Sequence, residues 1–491
     1  MKKTALILIA ALTVAAAQAQ SPDAIYKLLR QQWTVNTDGT TDYRYRHEVQ
    51  ILRNRALTAY ADKGETFVTF NPDLEELTVN EVYTLRADGS RVDMPQNAFI
   101  YQLPSSCADC GRYNHLRELA MVHTGMELGC TVVVDYTIHR RYNLVNQTVE
   151  LVRDCPVERW EVSIAVPEGQ ELGATLTNPE VLPITCSESR SSNSYSLIAT
   201  HVAQSFNDSY LPAREQIYPS VHFFNAVPEY LPALTDEGLP MADEVIDNLY
   251  GSRDAKKNIE AIRNYVVDNI HLNDIDPVHL AYRRATPAEV WQSACGTAAE
   301  KAALLAAMLR QANYSARVIG DQSDEVGVTI DTVEYRMSIR DKAPMTVNGK
   351  AEDEVATTNE EITTADIILD TLQDGFYRLH IPPVAGSPTQ QASRMALTRT
   401  APMAGHPCDL THTYTATGLA QMKMAGAPIS EKIDYPGVGS VEVSIKQSGK
   451  KITVKRHLVL EKNTIQPADY AHYRELIALW QGVESVLLRK K

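Results

Sequence analysis

The chain has 491 residues, with 61 acidic against 47 basic and a net charge of -14 when histidine is neutral. A surface this acidic does not attract nucleic acid through its phosphates, and no basic, aromatic-rich tract offsets it. The length exceeds one comfortable core, so two to four domains are expected.

Residues 1–20 read MKKTALILIAALTVAAAQAQ. Two lysines precede an apolar run, and Ala17-Gln18-Ala19 supplies small residues for cleavage. The pattern predicts a secretory signal peptide over 1–19, and an uncleaved anchor is the rival reading. No later run reaches the roughly 18 apolar residues of a membrane span. The expected product is periplasmic or otherwise exported.

Residues 20–235 predict an N-terminal β-sandwich domain. A short helix over Asp23–Gln32 is expected to open it. Alternating runs follow from Tyr43, from Thr78 and from Thr131, each with the period of two that marks a strand with one buried face. Ala87-Asp88-Gly89-Ser90 reads as a hairpin turn. Another strand is expected over Ser192–Val202.

The pattern changes over 236–350. Helical spacing covers Ala242–Tyr250 and Ala255–Asn269. Thr286-Pro287 combines a capping hydroxyl with proline at the first helical position, a good helix opening. An alanine- and leucine-rich helix is expected from about Cys295 to Gln311. Ser315–Gly320 and Thr332–Ile339 read as strands, and Asn348-Gly349 as a tight turn.

Residues 351–491 predict a C-terminal β-rich domain. Ala351–Glu361 reads as an acidic loop and Pro382–Gln391 as a linker. Strands are expected over Ala365–Leu372, Phe376–Ile381, Thr411–Thr417, Val441–Lys446 and Ile452–Leu460. A helix over Asp469–Trp480 and a strand over Ser485–Leu488 close the chain.

The seven cysteines are Cys107, Cys110, Cys130, Cys155, Cys186, Cys295 and Cys408. An odd number leaves at least one unpaired within the monomer. Cys107-Ala-Asp-Cys110 has CxxC spacing after Leu-Pro-Ser-Ser. That context favours a local disulfide or loop thiols, with metal or redox chemistry as alternatives. The sequence carries no cofactor motif and no second ligand pair for a metal.

Cys295 is the candidate catalytic residue. A cysteine in a helix's first turn meets unpaired N–H groups that favour thiolate and could hold an oxyanion. The alternative is a buried structural cysteine. Thiol acyl chemistry also needs a base within reach. His271 and His279 precede the cysteine and approach it only if the chain between folds back. His380 follows 85 residues later as a weak candidate base.

The stretch from Cys295 to Val318 resembles the nucleophile region of the bacterial transglutaminase-like superfamily. The resemblance rests on Arg284-Ala285-Thr286-Pro287-Ala288-Glu289-Val290 before the cysteine. It continues through Glu300-Lys301-Ala302-Ala303-Leu304-Leu305, Met308-Leu309-Arg310 and Ala316-Arg317-Val318. The order of segments is similar to exported proteins in which a β domain of the DUF3857 type precedes a transglutaminase-like, papain-like α+β domain and a smaller β domain follows. The resemblance therefore implies a multidomain α+β protein. Active relatives use cysteine, then histidine on a following strand, then aspartate. Only Cys295 carries over, because Thr332–Ile339 holds no histidine and no Trp-x-x-x-Asp follows. The implied function is binding of a peptide, glycan or partner protein without catalysis. The alternative is a cysteine-dependent acyl transferase or amide hydrolase with Cys295 as nucleophile.

Overall fold

The computed structural model describes residues 22–57, 63–179, 184–226, 238–320, 324–347, 350–351, 359–384 and 396–490. The expected signal peptide, the Asn348-Gly349 turn and most of the acidic loop and the linker lie outside them. The chain forms two compact units. The first comprises the N-terminal region to Ser205, Tyr218–Val326 and Ile339–Lys342; the second comprises Phe206–Ile217, Gly327–Ser338 and Ala343 onward.

The first unit opens with strands β1 (Ala24–Val35), β2 (Thr41–Ile51), β3 (Glu65–Phe70), β4 (Glu75–Leu85), β5 (Arg91–Asp93), β6 (Phe99–Gln102) and β7 (Arg117–Val122). It continues with β8 (Thr131–Arg140), β9 (Asn146–Glu150), β10 (Val157–Ala165), β11 (Gly173–Thr177), β12 (Thr185–Arg190), β13 (Ser194–Val202) and β14 (Ser220–Phe224). Eight of them form one large sheet in the order β12-β13-β10-β1-β2-β8-β4-β5. Two three-stranded sheets, β11-β14-β9 and β3-β7-β6, cover it. Trp33, Trp160 and Phe223 are buried in one cluster between the layers, and Val68, Met121 and Val134 in another. This is the expected sandwich. The turn between β4 and β5 is also as expected: Arg86 N–H donates to Ser90 O at 2.8 Å, and Gly89 takes φ 85°.

The opening helix is not. Residues 24–35 form β1, buried at Ala24, Tyr26, Leu29, Trp33 and Val35. A bulge between Tyr26 and Leu28 shifts the alternation by one residue. The apolar positions 25, 26, 28 and 29 then imitate helical spacing, although the underlying period is two.

The helices of the first unit follow the sandwich. They are α1 (Asp243–Leu249), α2 (Ala255–Asn269), α3 (Pro287–Ser293) and α4 (Ala298–Gln311). Two-residue strands β15 (His271–Leu272) and β16 (Cys295–Gly296) lie before α3 and α4, and β17 (Ser315–Val318) follows. Asp254 caps α2, and a Thr286/Glu289 capping box opens α3. Every residue of α4 from Ala299 to Leu309 is buried, as in a helix packed on all sides.

In the second unit, strands Asn359–Thr364, Cys408–Ala416, Lys451–Leu460, Gly439–Ser448 and Ile429–Tyr435 form a five-stranded sheet in that order. The α5 helix (Tyr470–Gln481) buries Tyr473, Leu476, Ile477 and Trp480 in a cluster with Val441, Val443 and Leu458. Phe376–His380 and Ser485–Lys490 pair in a second, four-stranded sheet. Asn359–Thr364 corrects the expected acidic loop at its C-terminal end. The expected strand Ala365–Leu372 is reduced to Leu369–Thr371.

Candidate functional site

The chain reaches Cys295 through a sharp reversal. Helix α3 ends at Ser293, and Ala294 takes the left-handed conformation with φ 51°. Cys295 and Gly296 then pair in parallel with His271 and Leu272. His271 N–H donates to Ala294 O at 2.8 Å, and Asn273 N–H donates to Gly296 O at 2.9 Å. Cys295 is fully buried.

Helix α4 does not begin at Cys295. Thr297 is its N-cap, and Glu300 completes a capping box. Glu300 Oε2 accepts the Thr297 N–H at 2.8 Å, and the Thr297 hydroxyl accepts the Glu300 N–H at 3.4 Å. Cys295 therefore lies in a strand ahead of the cap, not in the first turn. The expected stabilisation by free helix N–H groups is not the arrangement found.

The sulfur of Cys295 is bonded to Cys110, 185 residues earlier in the sandwich. Of the two expectations for the CxxC pair, the local disulfide is overturned, because Cys110 pairs with Cys295, while Cys107 remains a thiol in the turn. Short turns at Ser105–Cys107 and Gly111–Tyr113 present Cys110 to the helical region. Cys107 is a buried free thiol in the same apolar cluster as Cys110, Tyr113, Leu116, Ile275 and Cys295. Burial pushes its pKa up, away from the thiolate.

Two polar ties accompany the disulfide. Asn273 Nδ2 donates to Ser106 O at 2.6 Å. The Tyr113 hydroxyl donates to Glu300 Oε2 at 2.8 Å, and Ala285 N–H donates to Glu300 Oε1 at 2.6 Å. Burial, and then the Glu300 charge, raise the Tyr113 hydroxyl well above its usual range. On the next residue of α4, Lys301 is buried and donates from Nζ to Ile270 O at 2.8 Å. Desolvation, with a smaller push from Arg340, lowers its pKa to about 8.

The histidines separate clearly. The backbone of His271 is the register partner of Cys295, an approach that sequence spacing did not reveal. Its half-exposed ring places Nε2 3.9 Å from Oδ2 of Asp109, the residue before Cys110. Among the described hydrogen bonds, none joins an imidazole to Cys295. His279 instead bonds to Glu75 Oε2 at 2.8 Å, and Arg140 Nε donates to Glu75 Oε1 at 3.0 Å, so a buried carboxylate of the sandwich holds the ring away from Cys295. His380 belongs to the second unit, where its Nε2 lies 2.6 Å from Asp370. Val333–Ser338, within the segment where the resemblance led a histidine to be expected, has the sequence VEYRMS. No group of three or more potential metal-ligating side chains is found among the described residues. No described helix is long and apolar enough to cross a membrane.

Three family models match in succession. Residues 37–204 match a domain of unknown function, DUF3857. Residues 243–341 match the transglutaminase-like superfamily, and residues 376–485 match a second domain of unknown function, DUF3858. The chain belongs to the transglutaminase-like superfamily, in the architecture that places this core between a DUF3857 and a DUF3858 domain. A crystal structure from Parabacteroides distasonis ATCC 8503, described as a "putative protease", shares the fold. It is 24% identical with a TM-score of 0.68, covering 95% of this chain and 99% of that one. A variant of an M1 zinc metallopeptidase from Deinococcus radiodurans is also similar over 59% of this chain and 64% of its own, at 10% identity and a TM-score of 0.21. No curated protein matches the sequence.

Proposed function

We propose that this is an exported, non-catalytic transglutaminase-like protein that binds a peptide, glycan or partner protein. The observation that carries the reading is the state of Cys295: its sulfur is shared with Cys110 and fully buried. Nucleophilic attack requires a thiolate, and a sulfur held in a disulfide supplies none. Val333–Ser338, where the resemblance led a histidine to be expected, contains none. A disulfide also fits an oxidising compartment, in keeping with the signal peptide expected over residues 1–19. The test is to incubate the full-length protein, without reductant at neutral pH, with a thiol-reactive amide probe. Cys295 is expected to remain unlabelled. Labelling that disappears in Cys295→Ala would overturn the proposal.

One observation favours the alternative of a cysteine acyl transferase or amide hydrolase. His271 neighbours Cys295 in register, and Asp109 stands 3.9 Å behind its ring. Opening of the disulfide by an external thiol would leave the three side chains close together. That reading requires amide turnover that appears only with reductant and disappears in His271→Ala.

A further inference from the structure

Helix α4 opens onto a cavity of about 180 Å³ within the first unit. Thr297, Ala298 and Ala299 at the start of the helix line it, together with Asn273, Arg283 and Arg340. The volume falls short of a cleft for a drug-sized ligand and suits a single residue. The N–H groups of Ala298 and Ala299 precede the first intrahelical hydrogen bond, and no acceptor for them is found among the described residues. The next N–H, that of Glu300, is taken by the Thr297 cap. Arg283 is exposed and makes no ion pair among the described residues. Arg340 is held by Asp324 Oδ2 at 2.6 Å and lies 3.6 Å from Asp274 Oδ1, and Arg284 adds a third guanidinium to the lining. Two carboxylates stand against these. Asp274 is largely exposed, and Glu300 already accepts from Tyr113, Ala285 and Thr297. The balance favours an anion.

The same cavity contains an unanswered acceptor. Asn273 is 1% exposed, and its Nδ2 donates to Ser106 O at 2.6 Å. Its Oδ1 is buried without a donor among the described residues. A buried amide oxygen left unpaired is costly, and a donor brought by a ligand removes that cost.

We propose that this cavity binds the C-terminal residue of a peptide, with the carboxylate at the Ala298 and Ala299 N–H groups and Arg283, and the last amide N–H at Asn273 Oδ1. The inference rests on the binding reading above and gives it a site and a ligand class. Backbone N–H groups capture terminal carboxylates in other recognition sites, and a guanidinium matches the same group with two parallel hydrogen bonds. A bare inorganic anion answers the arginines but offers Asn273 no donor. A sugar acid offers both, together with further hydroxyls. The half-buried apolar lining of Pro277, Leu280 and Ala298 leaves those hydroxyls unpaired. A terminal residue carries one carboxylate, one N–H and one side chain, and the apolar wall takes a small side chain such as valine. Leu280 also packs on the cluster that contains Cys110 and Cys295, but neither cysteine lines the cavity. Binding there needs no thiol.

The probe is Gly-Gly-Val labelled with fluorescein at its N-terminus, titrated to millimolar concentration against the full-length protein by anisotropy. Saturable binding is expected. It should weaken at least tenfold when the terminal carboxylate is replaced by an amide. It should weaken about fivefold when the last peptide bond is replaced by an ester, which deletes the N–H and keeps the carboxylate. Arg283→Gln should weaken it at least fivefold, once a thermal melt shows that the variant is folded. Absence of binding, equal binding of the amide or the ester, or unchanged affinity in the folded variant overturns the proposal. Competition by methyl glucuronide as effective as that by unlabelled Gly-Gly-Val assigns the cavity to a sugar acid and overturns it too. The ligand comparisons use the unaltered protein and do not depend on the variant folding. Their failure leaves the non-catalytic binding reading intact, because a ligand held elsewhere is compatible with it. Amide turnover dependent on Cys295 sinks that reading without touching the cavity.

Discussion

The Tyr113 hydroxyl donates to Glu300 Oε2 at 2.8 Å, joining a sandwich loop to the first turn of α4. The same carboxylate accepts N–H groups from Ala285 and Thr297, so three donors converge on one buried anion. A glutamine at 300 retains only one acceptor oxygen and sets an amide N–H against a donor. Glu300→Gln is expected to destabilise the first unit by about 3 kcal/mol, and Tyr113→Phe by about 2 kcal/mol. The two losses should not add, because both remove the same contact. Denaturant titration of the single and double variants checks this. Full additivity would mean that the two groups do not interact.

The Cys110–Cys295 bond closes a loop of 185 residues. Chain-entropy arguments place the upper limit of its contribution near about 5 kcal/mol. Cys110→Ser and Cys295→Ser are each expected to lower the melting temperature of the first unit by similar amounts. Cys107→Ala should lower it less, because that thiol is unbonded and only its buried packing is lost. Peptide mapping without reductant should recover Cys110 joined to Cys295. Recovery of Cys107 joined to Cys110, with Cys295 alkylated, would contradict the assignment.

Much of the fold was legible in local pattern, and the centre of the site was not. Alternation located β2, β4 and β8, and Thr286-Pro287 located α3 together with its cap. Thr297-Ala-Ala-Glu300 is itself a capping-box sequence, and reading it as one would have started α4 at Ala298. The misreading of β1 arose from its bulge, which no composition rule marks. The bond from Cys110 to Cys295 and the pairing of His271 with Cys295 had no local signal. The first depends on how the sandwich packs on the helical region, and the second joins two-residue strands, which carry no periodicity to read. Cysteine spacing alone likewise leaves pairing open.

Lys301 provides a test in alkali. Its folded pKa is about 8 because burial opposes the charged form, against 10.5 when unperturbed. Between these values the unfolded chain holds the proton and the folded protein does not. Stability from this group therefore rises as pH climbs through that window, and the burden of the buried ammonium, roughly 3 kcal/mol, is fully present below it. The wild type should gain stability relative to Lys301→Met between pH 8 and 10.5. A constant difference across that range, measured by denaturant titration, would show that Lys301 is not held in a desolvated site.

The sandwich should be sensitive to acid through two buried imidazoles. Burial lowers His47 to about 3, with a smaller contribution from His123, and burial lowers His123 to about 4. His47 Nδ1 lies 3.0 Å from the Tyr45 hydroxyl, and His123 Nε2 lies 2.9 Å from the Thr66 hydroxyl. Both rings are therefore neutral in the folded protein over the range in which the unfolded chain, near 6.5, takes up protons. The unfolded state binds more protons there, so stability falls as pH drops from 6.5 toward the folded values. Carboxylates with lowered values, such as Asp135 and Glu75, act in the same direction but chiefly below about pH 5. The interval from about pH 5 to 6.5 thus reports mainly on the buried histidines. His47→Gln should reduce the pH slope of unfolding free energy there by about one proton, and His47→Gln with His123→Gln by about two. An unchanged slope in the double variant would mean that these rings titrate normally in the folded chain and that their burial is not what makes the protein acid-labile.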